Sequence, residues 1–238
     1  MSIYFGVMVE IAVIFIFTTI GLLLGDFLPD RVRAGSLKAI GAVIAYLGVS
    51  GASDSQDLVI LIASLLIGTM IGEWLDLEGR LNQGADHLKA RFTRQATDTN
   101  HSFAHGFVTA SIVICVGAMT VLGALNSGLH GDHSLLLAKA VIVAITCIVF
   151  GATYGIGTYF ASLTVIIYEG GLVTLAAWLA PLLTEPVIAE MSAAGSLILI
   201  PLGLNMLEAT DIKVTNQIPA IFVPIGLVPL ADWLTSLF

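Results

Sequence analysis

The chain has 238 residues, 57% of them hydrophobic and only 11% charged, with a mean hydropathy of +0.98 and a formal net charge of −8. Soluble domains carry roughly 25% charged residues, so a soluble globular protein is excluded, and without a basic patch so is a nucleic-acid partner. A membrane span needs about 20 apolar residues, which makes the chain an all-α polytopic membrane protein of about eight spans, a single integral membrane domain (1–238) with the lipid bilayer as its first partner.

Apolar runs fall at 3–25, 37–52, 58–75, 105–125, 135–156, 160–180, 190–207 and 217–237. The opening MSIYFGVMVE lacks the basic segment and small-residue cleavage site of a signal peptide, so the first run is expected to be retained. If the N-terminus is outside, Arg31, Arg33, Lys38, Arg80, Lys89, Arg91, Arg94 and Lys213 all fall on the cytoplasmic side, eight of the nine basic residues, with Lys139 the exception. The connections near Ser53–Asp57, Asn126–Ser134 and Thr184–Glu190 are then exterior. The largest loop, 77–104, is cytoplasmic: Leu77, Leu81, Leu88 and Phe92 at near-helical spacing, with basic neighbours, predict a helix lying among lipid headgroups. His101 and His105, four apart, make a weak metal signal, and Cys115 and Cys147 read as small apolar packing residues.

The central spans, 105–156, enclose Leu122–Lys139, which concentrates helix breakers: Gly123, Gly128 and Gly131 beside Asn126, Ser127, Asp132, His133 and Ser134. Two readings stand side by side: a hairpin dipping into the bilayer to line a polar cavity, or an exterior loop followed by a snorkelling lysine.

The chain also repeats itself. LPDRVRAGSLKAIGAVIAYLGVS at 28–50 aligns without gaps on LTEPVIAEMSAAGSLILIPLGLN at 183–205, and Glu73-Trp74-Leu75 resembles Asp232-Trp233-Leu234. Span two runs inside to outside and its counterpart, span seven, the reverse. Repeat one (1–76) and repeat two (157–238) are therefore inverted copies of three spans around two central ones, a common plan of secondary transporters.

Glu10, Lys139 and Glu169 are the ionisable residues deep in the spans, and Glu10 and Glu169 occupy corresponding spans of the two repeats. An unpaired carboxylate there costs at least about 2.5–3.5 kcal/mol, so the pair is expected to meet near the midplane and to be protonated, bind a cation or meet Lys139. The structural alternative is a buried ion pair between helices. Gly170 and Gly171 follow Glu169 directly; an unwound helix there offers carbonyls to an ion. Pro201, Pro219, Pro224 and Pro229 similarly predict breaks in the last two spans. Gly21/Gly25 and Gly68/Gly72 predict close helix packing and, with the small footprint of one subunit, a homodimer.

The segments GLLLGDFLPDRVR, EWL followed by LEGRLN, CVGAMTVLGALNSGLHGDHSLLLAK, and EMSAAGSLILIPLGLNML together resemble the YqgA/YdfK-like bacterial inner-membrane proteins, the family of domain of unknown function 554. The resemblance covers nearly the whole chain and is most specific over 117–139. It implies a multi-pass location in a bacterial inner (plasma) membrane and a transporter role. The family pattern usually carries Asn in the first span and Gln in the sixth, where this chain has Glu10 and Glu169, and Asp four residues after the lysine, where it has Val143.

Without a Walker sequence, an HExxH or a Cys/His cluster, the sequence points away from an enzyme, a cofactor or a bound metal. The expected function is an ion-coupled carrier of a small solute or cation, with Glu10, Glu169, Lys139, Asn126, Gly170 and Gly171 as its binding residues. A passive channel lined by the same residues, and a structural or sensing membrane protein, are the alternatives.

Overall fold

The computed structural model describes residues 2–25, 27, 29–80, 83, 100–115 and 118–235, and every regular element among them is helical. The long helices are α1 (Phe5–Gly25), α2 (Asp30–Ala52), α3 (Leu58–Leu75), α4 (Asn100–Cys115), α5 (Ala118–His130), α6 (Ser134–Tyr154), α7 (Ala161–Thr174), a short α8 (Ala176–Leu179), α9 (Glu185–Met206) and α10 (Pro224–Thr235). Two 3-10 helices, Gly155–Phe160 and Val214–Ile221, precede α7 and α10. Among the described residues, five helical stretches are long and apolar enough to cross a membrane, or up to seven if each bent pair is one span. The bent pairs are α4 with α5, at 65°, and the second 3-10 helix with α10, at 43°. Trp74, Trp178 and Trp233 stand exposed near helix ends, where amphipathic rings settle at a membrane–water boundary.

The helical stretch 134–174 runs to 41 residues, and the sequence divides it into apolar runs at 135–156 and 160–180. Its geometry agrees with a division. Lys139 hydrogen-bonds Glu169, thirty residues on, a separation of about 45 Å in a straight helix. The chain therefore folds back. The reversal follows Tyr154, where Gly155 takes φ +74, a left-handed conformation that costs glycine little.

The chain divides into two compact units that interleave in sequence, residues 1–40, 79–115 and 119–176 in one, and 41–78, 116–118 and 177–238 in the other. In the first unit α1 and α6 run parallel: Gly6 lies against Leu136, Gly21 against the Ile148 carbonyl and Gly25 against Ala152, while Gly151 meets Thr18. α7 runs antiparallel to α1, so Tyr4 near the start of α1 hydrogen-bonds Thr174 at the end of α7 (3.2 Å). In the second unit α2 from Gly41 onward packs antiparallel to α9, and Gly68 and Gly72 of α3 lie on the backbone of Ala220 and Asn216. The four-residue glycine pairs thus bring backbones together within the chain, and the homodimer they suggested would need another surface.

Two further expectations can be placed and a third cannot. Pro201 does not interrupt α9, whereas the Pro219–Pro224 region carries the 43° bend. Glu190, expected in an exterior connection, lies inside α9 and is 1% exposed. The headgroup helix built on Leu81, Leu88, Lys89, Arg91, Phe92 and Arg94 falls outside the described residues.

Candidate functional site

The buried stripe of α1 reads Gly6, Val7, Glu10, Ile14, Thr18, Gly21 and Gly25, a spacing of three and four that keeps one face inward. Glu10 shares that face with the glycines that draw α6 close. On α6 the inward face carries Leu136, Lys139, Val143, Cys147, Phe150 and Tyr154. α7 adds Val165, Glu169 and Leu172 from its own buried stripe. Three helices therefore aim one charged side chain each into the same apolar volume.

The Lys139 Nζ stands 2.9 Å from Glu10 Oε1 and donates a hydrogen bond to Glu169 Oε1. Exposure is 0% for both glutamates and 6% for the lysine. One ammonium thus serves two carboxylates, and Oε2 of each glutamate is buried without a hydrogen-bond partner. With all three groups ionised the cluster carries one excess negative charge in a low-dielectric setting, which a proton or a bound cation would neutralise. Glu10 and Lys139 each stand five residues past the start of their helices, about 8 Å along the axis. The cluster is therefore nearer one end of α1 and α6 than the midplane the sequence suggested. Lys139 does not snorkel: its charge is spent on two partners inside the unit.

The stretch before Lys139 is a helical hairpin with a tight turn at 131–133, where Gly131 takes φ +67. Asp132 accepts the Ser134 N–H (3.0 Å), and that hydrogen bond holds its carboxyl below the usual range at the mouth of α6. Ser127, buried on α5, donates to the Ile3 carbonyl (2.7 Å) and lies 2.6 Å from His133 Nδ1. With the only hydroxyl hydrogen committed to Ile3, Nδ1 donates to Ser127, and Nε2 is buried without a hydrogen-bond partner. Ser127 and His133 looked like turn residues in the sequence; their burial depends on α1 folding over them.

The other candidates take different places. The Asn126 carbonyl accepts the Asp132 N–H (3.3 Å) in that turn, and among the described residues no hydrogen bond joins its side chain to the triad. Gly170 and Gly171 stay helical: their carbonyls accept from the Thr174 hydroxyl (2.5 Å) and the Leu175 N–H (2.9 Å). The expected unwinding is absent because the helix continues to Thr174 and engages both oxygens. His105 stacks on Tyr154 and bonds Thr109 (2.9 Å). Among the described residues no three His, Cys, Asp or Glu side chains gather as a metal set.

The second unit holds a buried carboxylate that sequence reading missed. Glu190 of α9 accepts from Ser55 Oγ (2.8 Å) and from the Gln56 and Asp57 N–H groups (2.6 and 2.9 Å). Asp57 in turn caps α3 by accepting from Val59 and Ile60 (2.8 and 3.2 Å). Nearby in sequence, Glu78 lies at the far end of α3; its N–H donates to Asn216 Oδ1 (2.8 Å), and partial burial pushes its carboxyl above the ordinary value.

A family model described as "Protein of unknown function (DUF554)" matches residues 5–229. The chain is 26% identical over 224 residues to the uncharacterized membrane protein YdfK of Bacillus subtilis (strain 168), covering 92% of this chain and 93% of the relative. It is 28% identical over 209 residues to the uncharacterized protein YqgA of Escherichia coli (strain K12), covering 87% and 89%. No solved structure matches it.

Proposed function

The chain belongs to the DUF554 family of membrane proteins, and from its site we propose an ion-coupled carrier of a small solute or cation, in a bacterial inner membrane, that binds its coupling ion at Glu10, Lys139 and Glu169. The observation that carries this reading is the ratio of groups: two fully buried carboxyls around one lysine, so that full ionisation would leave one negative charge in excess. A purely structural ion pair needs equal charges, because each uncompensated buried charge is strongly destabilising. An excess charge that is neutralised by a reversible ligand is a binding site. Its closure favours a carrier over an open pore, since all three side chains are shut away from solvent. No chemical conversion is assigned to it.

An inverted repeat, expected from the sequence, supports the same reading. Residues 28–50 align on 183–205 with an offset of 155. Gly41 packs on Gly203 and Gly48 on Ser196; the offset converts the first contact into the second. Gly41 with Met206 and Gly51 with Ser196 form another such pair, and Ala45 with Gly203 and Gly48 with Ile200 a third. Contacts that exchange in this way are what a local two-fold between α2 and α9 produces. Likewise α1 and α7, bearing Glu10 and Glu169, pair within one unit. Among the described residues, eight spans is the count we propose, with the two arms of 134–174 taken separately and each bent pair as one span.

The test is flux in proteoliposomes over a panel of ions and solutes, against pH and cation concentration, for wild type, Glu10→Gln, Glu169→Gln and the double variant. A carrier saturates and shows counterflow, and the amide variants change its ion or pH dependence while remaining inserted. Single-channel currents would replace the carrier with a channel. Profiles identical in all four proteins would remove the carboxylates from the mechanism.

A further inference from the structure

In the unit that holds the triad, buried polar groups form a line along the packed helices α1 and α6. They are His133 Nε2 ahead of α6, Oε2 of Glu10 and of Glu169, the Thr18 hydroxyl on α1, the Thr158 hydroxyl on the first 3-10 helix and the Tyr154 hydroxyl at the end of α6. Thr18 and Thr158 are fully buried, and His133 and Tyr154 nearly so. Thr18 shares a side-chain hydrogen bond with the Cys147 thiol and Tyr154 one with Thr109, so the line has polar neighbours on α4 and α6, while His133 Nε2, the Thr158 hydroxyl and a carboxyl oxygen of each glutamate have no hydrogen-bond partner. From His133 to Tyr154 the chain advances 21 residues, about 31 Å along a helix, against about 30 Å for a hydrocarbon core. Lipid offers such groups no partner, whereas buried water normally satisfies them.

We propose that this line is a hydrated file inside the first unit and that the coupling ion it passes is the proton, carried by the Glu10 and Glu169 carboxylates beside a Lys139 that stays charged. The proposal rests on the carrier reading above and names its ion. Lys139 occupies the place between the carboxylates that a metal cation would need, and the Gly170 and Gly171 carbonyls are committed to their helix. A proton needs one acceptor and no coordination shell. Arriving through water from the His133 end, it binds a free Oε2 and cancels the excess charge. Leaving that same oxygen to water on the Thr18 side, it restores the triad; Lys139 keeps its charge throughout. Among the described residues the other titratable groups facing the triad are Cys115 of α4, Cys147 of α6 and Tyr168 of α7, thiols and a phenol that are ordinarily neutral near pH 7.

Two measurements test it on the full-length protein. In proteoliposomes with an internal pH-sensitive dye and a potassium-valinomycin potential, wild type takes up protons, while Thr18→Val and Thr158→Val, which keep shape and remove the hydroxyl, each slow uptake by about tenfold without changing thermal unfolding. In infrared spectra a carboxylic-acid band, lost in the Glu10→Gln/Glu169→Gln variant, shifts promptly in deuterated water. Sodium or potassium flux without proton flux overturns the proton assignment and leaves the carrier standing. Absence of every flux overturns both. Uptake unchanged in the two valine variants, or a carboxylic band that does not exchange, overturns the hydrated file.

Discussion

Glu190 in one compact unit and the Glu10–Glu169 pair in the other are equally buried, at 1% and 0% exposure, and differ in what surrounds the carboxylate. Glu190 receives one hydroxyl and two backbone N–H groups at the start of α3, where the helix dipole also favours a negative charge. Its charge is compensated by groups that cannot leave. Glu10 and Glu169 divide one ammonium and each retain an unpartnered oxygen. Burial by itself therefore does not mark a functional acid; a shortage of fixed donors does.

The largest expected effect comes from removing the shared cation. Lys139→Met leaves two carboxylates facing each other and should cost about 3–5 kcal/mol of stability, read by unfolding in detergent. Adding Glu10→Gln and Glu169→Gln to it should return most of that loss. A Lys139→Met protein as stable as wild type would mean that the carboxylates have another source of compensation.

Glu190→Gln sharpens the contrast from the other side. It keeps the shape, weakens three charge-assisted hydrogen bonds and should cost about 1–2 kcal/mol, while leaving the pH and ion dependence of flux unchanged. An altered ion dependence would place Glu190 with the triad and dissolve the distinction between the units.

Smaller still is the effect of filling the glycines after Glu169. A side chain at Gly170 or Gly171 meets nothing within 4 Å, so Gly170→Ala and Gly171→Ala should be neutral or stabilise α7 by up to about 1 kcal/mol. Lost flux with unchanged stability would restore the unwound helix as part of the mechanism. By contrast, Gly72→Ala drives a methyl into the Asn216 backbone and should destabilise by about 1–3 kcal/mol.

The smallest effect belongs to Glu78. Burial raises its folded-state pKa above the ordinary 4.5, against the lowering pull of Lys213. Between the ordinary and the raised value the folded chain binds more protons than the unfolded one, so stability falls as pH rises through that window. Thermal unfolding scans across the carboxylate range should show that slope in wild type and a flatter profile in Glu78→Gln.

Much of this molecule is written locally. Composition makes it a helical membrane protein, and the spacing of Gly6, Glu10, Ile14, Thr18, Gly21 and Gly25 already puts an acid on the packing face of α1. Glycines four apart announce close helix contacts, and charges within apolar runs single out Glu10, Lys139 and Glu169, because the cost of a bare charge in lipid depends on the residue and its run alone. Partner choice is not local. That one lysine serves both glutamates follows from the reversal at Gly155, which returns α7 alongside α1; the sequence separates the runs 135–156 and 160–180, but hydropathy does not say which helix the second run will pack against. That Glu190 is structural follows from the start of α3 arriving over it, bringing backbone donors that no side-chain pattern records. Sequence determined which charges enter the membrane domain; the tertiary fold decided which of them are fully paired, because hydrogen-bond donors reach a buried carboxylate from helices far away in the chain.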